Sequence, residues 1–314
     1  MGTATIFRSS DGSAPVLTGA VGSLTALLNA CLVVGYGAKA ALGWTRPYHD
    51  AANNTSVFRQ GAGPQHYLRV NDNGPGAGTA KEARAVGYEV MTDVNTGTGP
   101  FPTAVQMATG LFIRKSVTAD ATARSWILIG TSKVFYLFVY TGDVANRAFS
   151  VGFGSAYSIV PTDNYATFLA GRSTENSAVA AYDRLCGMSS TVTTAVTANY
   201  MARAYTGVGS SITLAKWGDY FQAAQTAAGS TGGIAYPSPI DGSLVITPIN
   251  YGGAADGLYR GVLPGLWNPM HVEAFADGDT LSGIGGLSSR TFEVVMLGAG
   301  QVLIETSTTT WTEN

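Results

Sequence analysis

The alternation of apolar and polar side chains changes period several times along the chain. Residues 3–7, TATIF, alternate as a short strand that runs into the turn-forming stretch Ser9–Ser13. Between 21 and 34 the period lengthens to that of a helix. Val21, Leu24, Leu28 and Cys31, with Leu27 and Leu32 beside them, form one apolar stripe, and Gly35 stands where a C-terminal glycine stops a helix. This predicts one amphipathic helix with its stripe in the core. From residue 57 the runs shorten again: SVFRQ, HYLRVND and ARAVGYEV are rich in β-branched and aromatic residues. The turn cluster NDNGPGAGT joins the last two as a long-tipped hairpin, and DVNTGTGPFPT reads as a second loop with two prolines. SWILIG and VFYLFVY, on either side of Thr131–Ser132–Lys133, carry the strongest β pattern and predict a hairpin with a three-residue connection. SVGFGSAYSIV and YATFLAGR continue the meander. SLVITPI, GLYRGVL, TFEVVML and QVLIETS supply strands near the end.

The stretch 176–232 differs. It is rich in Ala, Ser and Thr, and the spacing of Ala195, Tyr200, Met201 and Tyr205 fits helix or loop equally. The expected class is therefore α+β with β dominant: antiparallel sheets, meander- or sandwich-like, with one N-terminal amphipathic helix. Three parts are expected to pack in one continuous body: an N-terminal β-rich part at 1–145, an Ala/Thr/Gly-rich middle at 146–250 and C-terminal strands at 251–314. No internal repeat stands out, since Asp-Gly-Ser at 11–13 and 241–243 is too short to count.

Composition narrows the function classes more than it names one. The 314 residues hold 18 Lys+Arg and 20 Asp+Glu, and charged residues make up 12% against an ordinary share of about 25%. With 46% hydrophobic residues the chain is not too polar to fold. A net charge of −2 argues against nucleic acid and anionic membranes as partners, and no run of 18 apolar residues predicts a spanning helix. Cys31 and Cys186 are too few and too far apart for a disulfide scaffold, so buried thiols are expected. MGTATIFRSSDGS lacks the basic and apolar regions of a signal peptide, and Ile6 stands where myristoylation needs a hydroxyl.

Candidate chemistry is sparse. There is no Gly-x-Ser-x-Gly elbow. Gly35-Tyr-Gly37-Ala-Lys39-Ala40 matches a loose dinucleotide pattern, but it follows a helix instead of a strand and reads as a turn. His49, His66 and His271 show no zinc spacing, although His49 with Asp50, or His66 near Asp72, could meet in the fold. Asn71–Gly74 and Asp277–Asp279 are oxygen-rich without the bidentate Glu of a calcium loop. Carboxylate pairs for glycoside hydrolysis could come from Asp143, Asp163 and Glu175, or from Glu273 and Glu293. Trp44 and Trp267, in Gly/Pro-rich stretches, are candidates for exposed sugar contacts, whereas Trp126 is expected in the core. Asn199, Tyr200 and Trp217 would be the aromatic and amide groups of a glycan site in the middle. No catalytic, cofactor or metal residue is assigned, and no cofactor is expected.

The most individual stretches are FRSSDGSAPVLTGAVGSL, CLVVGYGAKAALGWTRPY and HYLRVNDNGPGAGTAKEARAVGYEVMTDVNTGTGPFPT, then LYRGVLPGLWNP, DGDTLSG, RTFEVVML, IETS and Trp311. Together they resemble a group of structural proteins of tailed bacteriophages, tail or virion proteins of unassigned role. The resemblance covers 5 to about 115 well and 257 to 312 fairly. It implies a non-enzymatic virion component, made in the host cytoplasm and working without cofactors through copies of itself and neighbouring virion proteins. The expected place is the tail or baseplate; capsid decoration is the alternative, and a host-receptor or surface-glycan module is a third. Contacts are expected on loops at 44–66, 71–80 and 93–103. Lys39, Lys81, Lys115, Lys133 and Lys216 are the only lysines, which suits a surface shared with neighbours.

Overall fold

The computed structural model describes residues 3–74, 81–142, 148–175, 197–217, 241, 244–253, 258–269, 275–284, 287–297, 300–307 and 311. A first strand, β1 (Thr5–Arg8), precedes helix α1 (Ser23–Asn29), which continues as one π-helical turn over Ala30–Val34. Then come β2 (Thr45–Asp50), β3 (Thr55–Arg59), β4 (Tyr67–Asn71), β5 (Lys81–Met91), β6 (Gly97–Phe101) and β7 (Leu111–Ser116). Next are β8 (Trp126–Gly130), β9 (Val134–Val139), β10 (Ala148–Ser155), the two-residue β11 (Tyr157–Ser158), β12 (Thr167–Arg172) and β13 (Thr197–Met201). The last group is β14 (Ile212–Trp217), β15 (Ile246–Gly253), β16 (Tyr259–Pro269), β17 (Thr280–Ile284), β18 (Leu287–Leu297) and β19 (Gly300–Glu305). The fold is β-dominant and antiparallel, with the one short helix near the N-terminus, as the sequence pattern predicts.

Three β layers stack on one another. The central layer is β1-β8-β9-β10-β12-β13, and all six residues of VFYLFV in β9 are buried. Successive strand side chains point to opposite faces, so a strand covered on both sides reads as a continuous apolar run. Phe135, Leu137 and Val139 face one core with Trp126, Leu128, Val151 and Phe153. Across it lie Phe58, Leu68, Val70, Ala83, Ala85, Leu111 and Ile113 of the layer β2-β3-β4-β5-β7, with α1 packed into the same core. Val134, Tyr136 and Phe138 face the other core, against Tyr251, Leu263, Leu266, Val295, Val302 and Ile304 of the layer β14-β15-β16-β19-β18-β17.

The layers are one sheet folded back twice. One edge of β12 is shared, its residues 167–170 pairing with β10 and Arg172 with Phe112 of β7. At the other fold, Ile212 and Thr213 of β14 pair with β13 while residues 214–217 pair with β15. The described strands of the 146–250 stretch therefore pair with both flanking parts, and β15 runs across position 250.

Helix α1 has no side-chain cap of its own at Gly22. The cap comes from the end of β4: Asp72 Oδ2 accepts the Leu24 N–H at 2.8 Å. Asp72 in turn pairs with Lys115 on β7, whose Nζ also donates to the Ala20 carbonyl at 2.7 Å. Both charged groups are buried, with side-chain exposures of 2% for Lys115 and 0% for Asp72. At the C-terminal end Gly35 takes φ 85° and its N–H bonds the Ala30 carbonyl at 2.8 Å, the predicted stop.

Candidate functional site

The structure places the acids singled out in the sequence against arginines. Asp163 forms a two-pronged pair with Arg260, Nε to Oδ2 and Nη2 to Oδ1 both at 2.7 Å. Ser158 Oγ and the Tyr165 N–H add hydrogen bonds at 2.7 and 3.0 Å. Burial pushes the Asp163 carboxyl up, but the bonds and charge of Arg260 outweigh it and hold it below the usual carboxylate value. Glu175 pairs with Arg84 at 2.9 Å, and Glu293 takes both guanidinium nitrogens of Arg8, tying β18 to β1. These carboxylates act as counter-ions that clamp elements together. Asp143, Glu273 and His271 lie outside the described residues.

The histidine–aspartate pairings do not form. His49 is exposed on β2, its Nδ1 3.0 Å from Ser56 Oγ, while Asp50 holds Asn53 and closes the turn to β3. His66 and Asp72 flank β4 at opposite ends, roughly 20 Å apart at the rise of an extended chain. His66 is packed beside the Phe101 ring, and burial drives its pKa down to about 4. Among the described residues no three His, Cys, Asp or Glu side chains converge as a metal site would need. Asp279 accepts the Ala276 N–H within its own turn, and Asp277 accepts the Met296 N–H and ties that turn to β18. Gly35–Ala40 is a tight turn closed by reciprocal Tyr36 and Lys39 backbone bonds.

The tryptophans correct the sequence reading. Trp44 is only 2% exposed, with its Nε1 donating to the Thr131 carbonyl at 2.9 Å and its ring edge-on to Phe135 and Phe153. Trp267, at 8%, packs on Phe292 with the Arg290 guanidinium over its ring. Both are core groups rather than sugar platforms; Trp126 is in the core as expected. Asn199 is buried and Tyr200 packs against the core, while the Trp217 side chain lies outside the described residues. The expected contact loops at 44–66 and 93–103 contain β2, β3 and β6, and residues 75–80 of the third are outside the described residues.

Two surface depressions stand out among the described residues. A cleft of about 300 Å³ runs beside the β8–β9 hairpin tip, between Gly63, Lys133, Ser155, Tyr157 and Thr162, a β-branched residue at φ 64°. A larger groove, about 480 Å³, lies on the outward face of the β4–β5 hairpin among Arg69, Asn71, Asn73, Arg84, Val86 and Tyr88. Leu68, Val70, Ala83 and Ala85 take the inward positions, so alternation sends the groove residues to the surface. Arg84 stacks over the Phe112 ring at 4.5 Å, and Arg69 is braced by the Val94 carbonyl at 2.8 Å and Asn95 Oδ1 at 2.7 Å. The sequence reading looked for binding groups on loops and missed this face. Its signal was the period of two in Tyr67, Arg69, Asn71 and in Arg84, Val86, Tyr88. No protein-family model matches the chain, and no curated protein matches it.

Proposed function

We propose that this chain is a non-enzymatic structural component of a tailed bacteriophage virion, associated with the tail or baseplate, and that it acts by assembly with copies of itself and neighbouring virion proteins. The observation that carries the assembly part is a pair of fastened loops. Residues 103–110 and 202–211 are tied by the Gln106 Nε2 bond to the Ser211 carbonyl at 2.7 Å and a second bond between their side chains. From these loops Val105 and Val208 stand 98% and 71% exposed. Apolar side chains on braced loops are groups that a neighbouring subunit can cover at little ordering cost. The low charge and the scarcity of lysine support the same reading, and the resemblance described above supplies the phage particle.

Antibody labelling of purified particles under the electron microscope tests the place. Label at the tail end is the expected result; label over the head moves the reading to capsid decoration. A particle free of the chain by mass spectrometry overturns it. Val105→Asp with Val208→Asp tests the contact: the variant should fold, since both side chains are in solvent, and should fail to enter particles.

A further inference from the structure

We propose that the outward face of the β4–β5 hairpin is a binding site for an acidic polysaccharide carrying carboxylates. The strand register places Asn71 opposite Arg84, Arg69 opposite Val86 and Tyr67 opposite Tyr88. Arg69 and Arg84 are thus diagonal neighbours, with Cβ atoms roughly 7–8 Å apart, a placement in which like charges repel. Among the described residues the carboxylate in contact with them is Glu175, which takes a single nitrogen of Arg84 at 2.9 Å. Arg84 Nε is buried without a hydrogen-bond partner, and Nη1 of both arginines has none among the described residues. Gly74 lies against Arg84, where a Cβ would come within 3.2 Å of its Nη1. The Nη1 end of each guanidinium is left for an oxyanion, and a carboxylate accepts charge-assisted bonds there.

The shape selects a chain over a point ion. From Asn71 to Tyr67 the face extends about 13 Å at the rise of a strand, with amides of Asn71 and Asn73 at one end and the Tyr88 ring at the other, beside a Tyr67 ring that carries the Arg59 guanidinium on one face. Amides bond hydroxyls and a tyrosine ring packs on the apolar face of a sugar, so the groups present match a hydroxyl-rich chain with spaced carboxylates. Nucleic acid fits less well. A strand with one charge per nucleotide is held by many phosphate contacts and a strongly basic surface, whereas this chain has a pI near 5.9 and two arginines in the groove.

The test is titration calorimetry of the full chain with an oligogalacturonate, a neutral maltodextrin of equal length, an oligothymidylate and inorganic phosphate. The uronate should bind, more weakly as salt rises. Arg69→Gln and Arg84→Gln should each weaken it about tenfold or more, the loss of one charged hydrogen-bonded pair. Lys133→Gln, in the other cleft, should leave it unchanged. Far-ultraviolet dichroism and the melting midpoint confirm that each variant is folded, and Arg84→Lys, which keeps charge but loses the fork, should fall between wild type and Arg84→Gln. No uronate binding, equal binding by the Arg→Gln variants, equal affinity for maltodextrin, or competition by phosphate or oligothymidylate at equal charge overturns the proposal.

Discussion

Removing Lys115 strands a carboxylate inside the protein. In Lys115→Met, Asp72 keeps its bond from Leu24 but loses the cation it is paired with, in a position with no exposure. Breaking a buried pair by deleting one partner costs about 3–5 kcal/mol, a large part of the roughly 5–15 kcal/mol that holds a domain folded. The double variant Asp72→Asn with Lys115→Met carries no charge, and its amide oxygen can still accept from Leu24. It should therefore recover about 2 kcal/mol of that loss as a coupling between neighbours. Urea unfolding followed by tryptophan fluorescence reads the midpoints, since Trp44 and Trp126 share the core with α1. The deficit should also depend on pH. Burial already raises the Asp72 carboxyl, and without Lys115 nothing of opposite charge counters it. A folded acid with a raised pKa takes a proton that the unfolded chain releases, so stability falls as pH rises through that window. The loss in Lys115→Met is then larger at pH 7 than near pH 5. A cost below about 1 kcal/mol, the size of an exposed pair, or a double variant no better than the sum of the singles, refutes the account.

Other predictions follow from the same cores. His66 is held neutral, from an ordinary 6.5 down to about 4, so stability is intact above 6.5 and falls as pH drops toward 4, by about 3 kcal/mol at about 1.36 kcal/mol per pH unit; His66→Phe should abolish that slope in urea midpoints taken across the range. Asp163→Ala should cost about 3–5 kcal/mol by orphaning Arg260, and the stability that Asp163 contributes is present above its ordinary value near 3.8 and lost as pH falls through its depressed one. Trp44→Ala should cost about 3–5 kcal/mol in thermal or urea unfolding while leaving uronate binding to the folded fraction unchanged; a variant of normal stability would show Trp44 to be a surface group after all.

The ion pairs explain how a chain so poor in charge uses what it has. Arg8–Glu293 ties β1 to β18 and Arg203–Glu89 ties the turn after β13 to β5, both half-buried, while Lys115–Asp72, which joins β7 to α1, and Arg260–Asp163, which joins β16 to the turn after β11, are buried. Such pairs are costly to desolvate and favour one arrangement over others only when both partners are in place. The apolar pattern drives layers together; these pairs select which turns meet. The groove arginines, Arg69 and Arg84, keep an Nη1 donor for something outside the chain.

What could be read from the sequence was local. The period of two in HYLRVND, the apolar run of VFYLFVY, the three-residue connection at Thr131–Lys133 and the glycine stop at Gly35 are properties of a few adjacent residues, and strands, hairpin and helix end followed them. β2 (TRPYHD) and β6 (GTGPF) have no apolar alternation and are strands because β3 and β5 lie beside them to pair with. Trp44 and Trp267 sit in stretches that read as exposed loops, yet other layers close over them. Asp72 caps a helix through the N–H of Leu24, 48 residues earlier. Arg69 and Arg84 become one site only through the β4–β5 register. Local pattern sets backbone conformation and which side of a strand is apolar. Pairing partners, burial and the meeting of charges depend on residues distant in the chain, and those the tertiary structure alone decides.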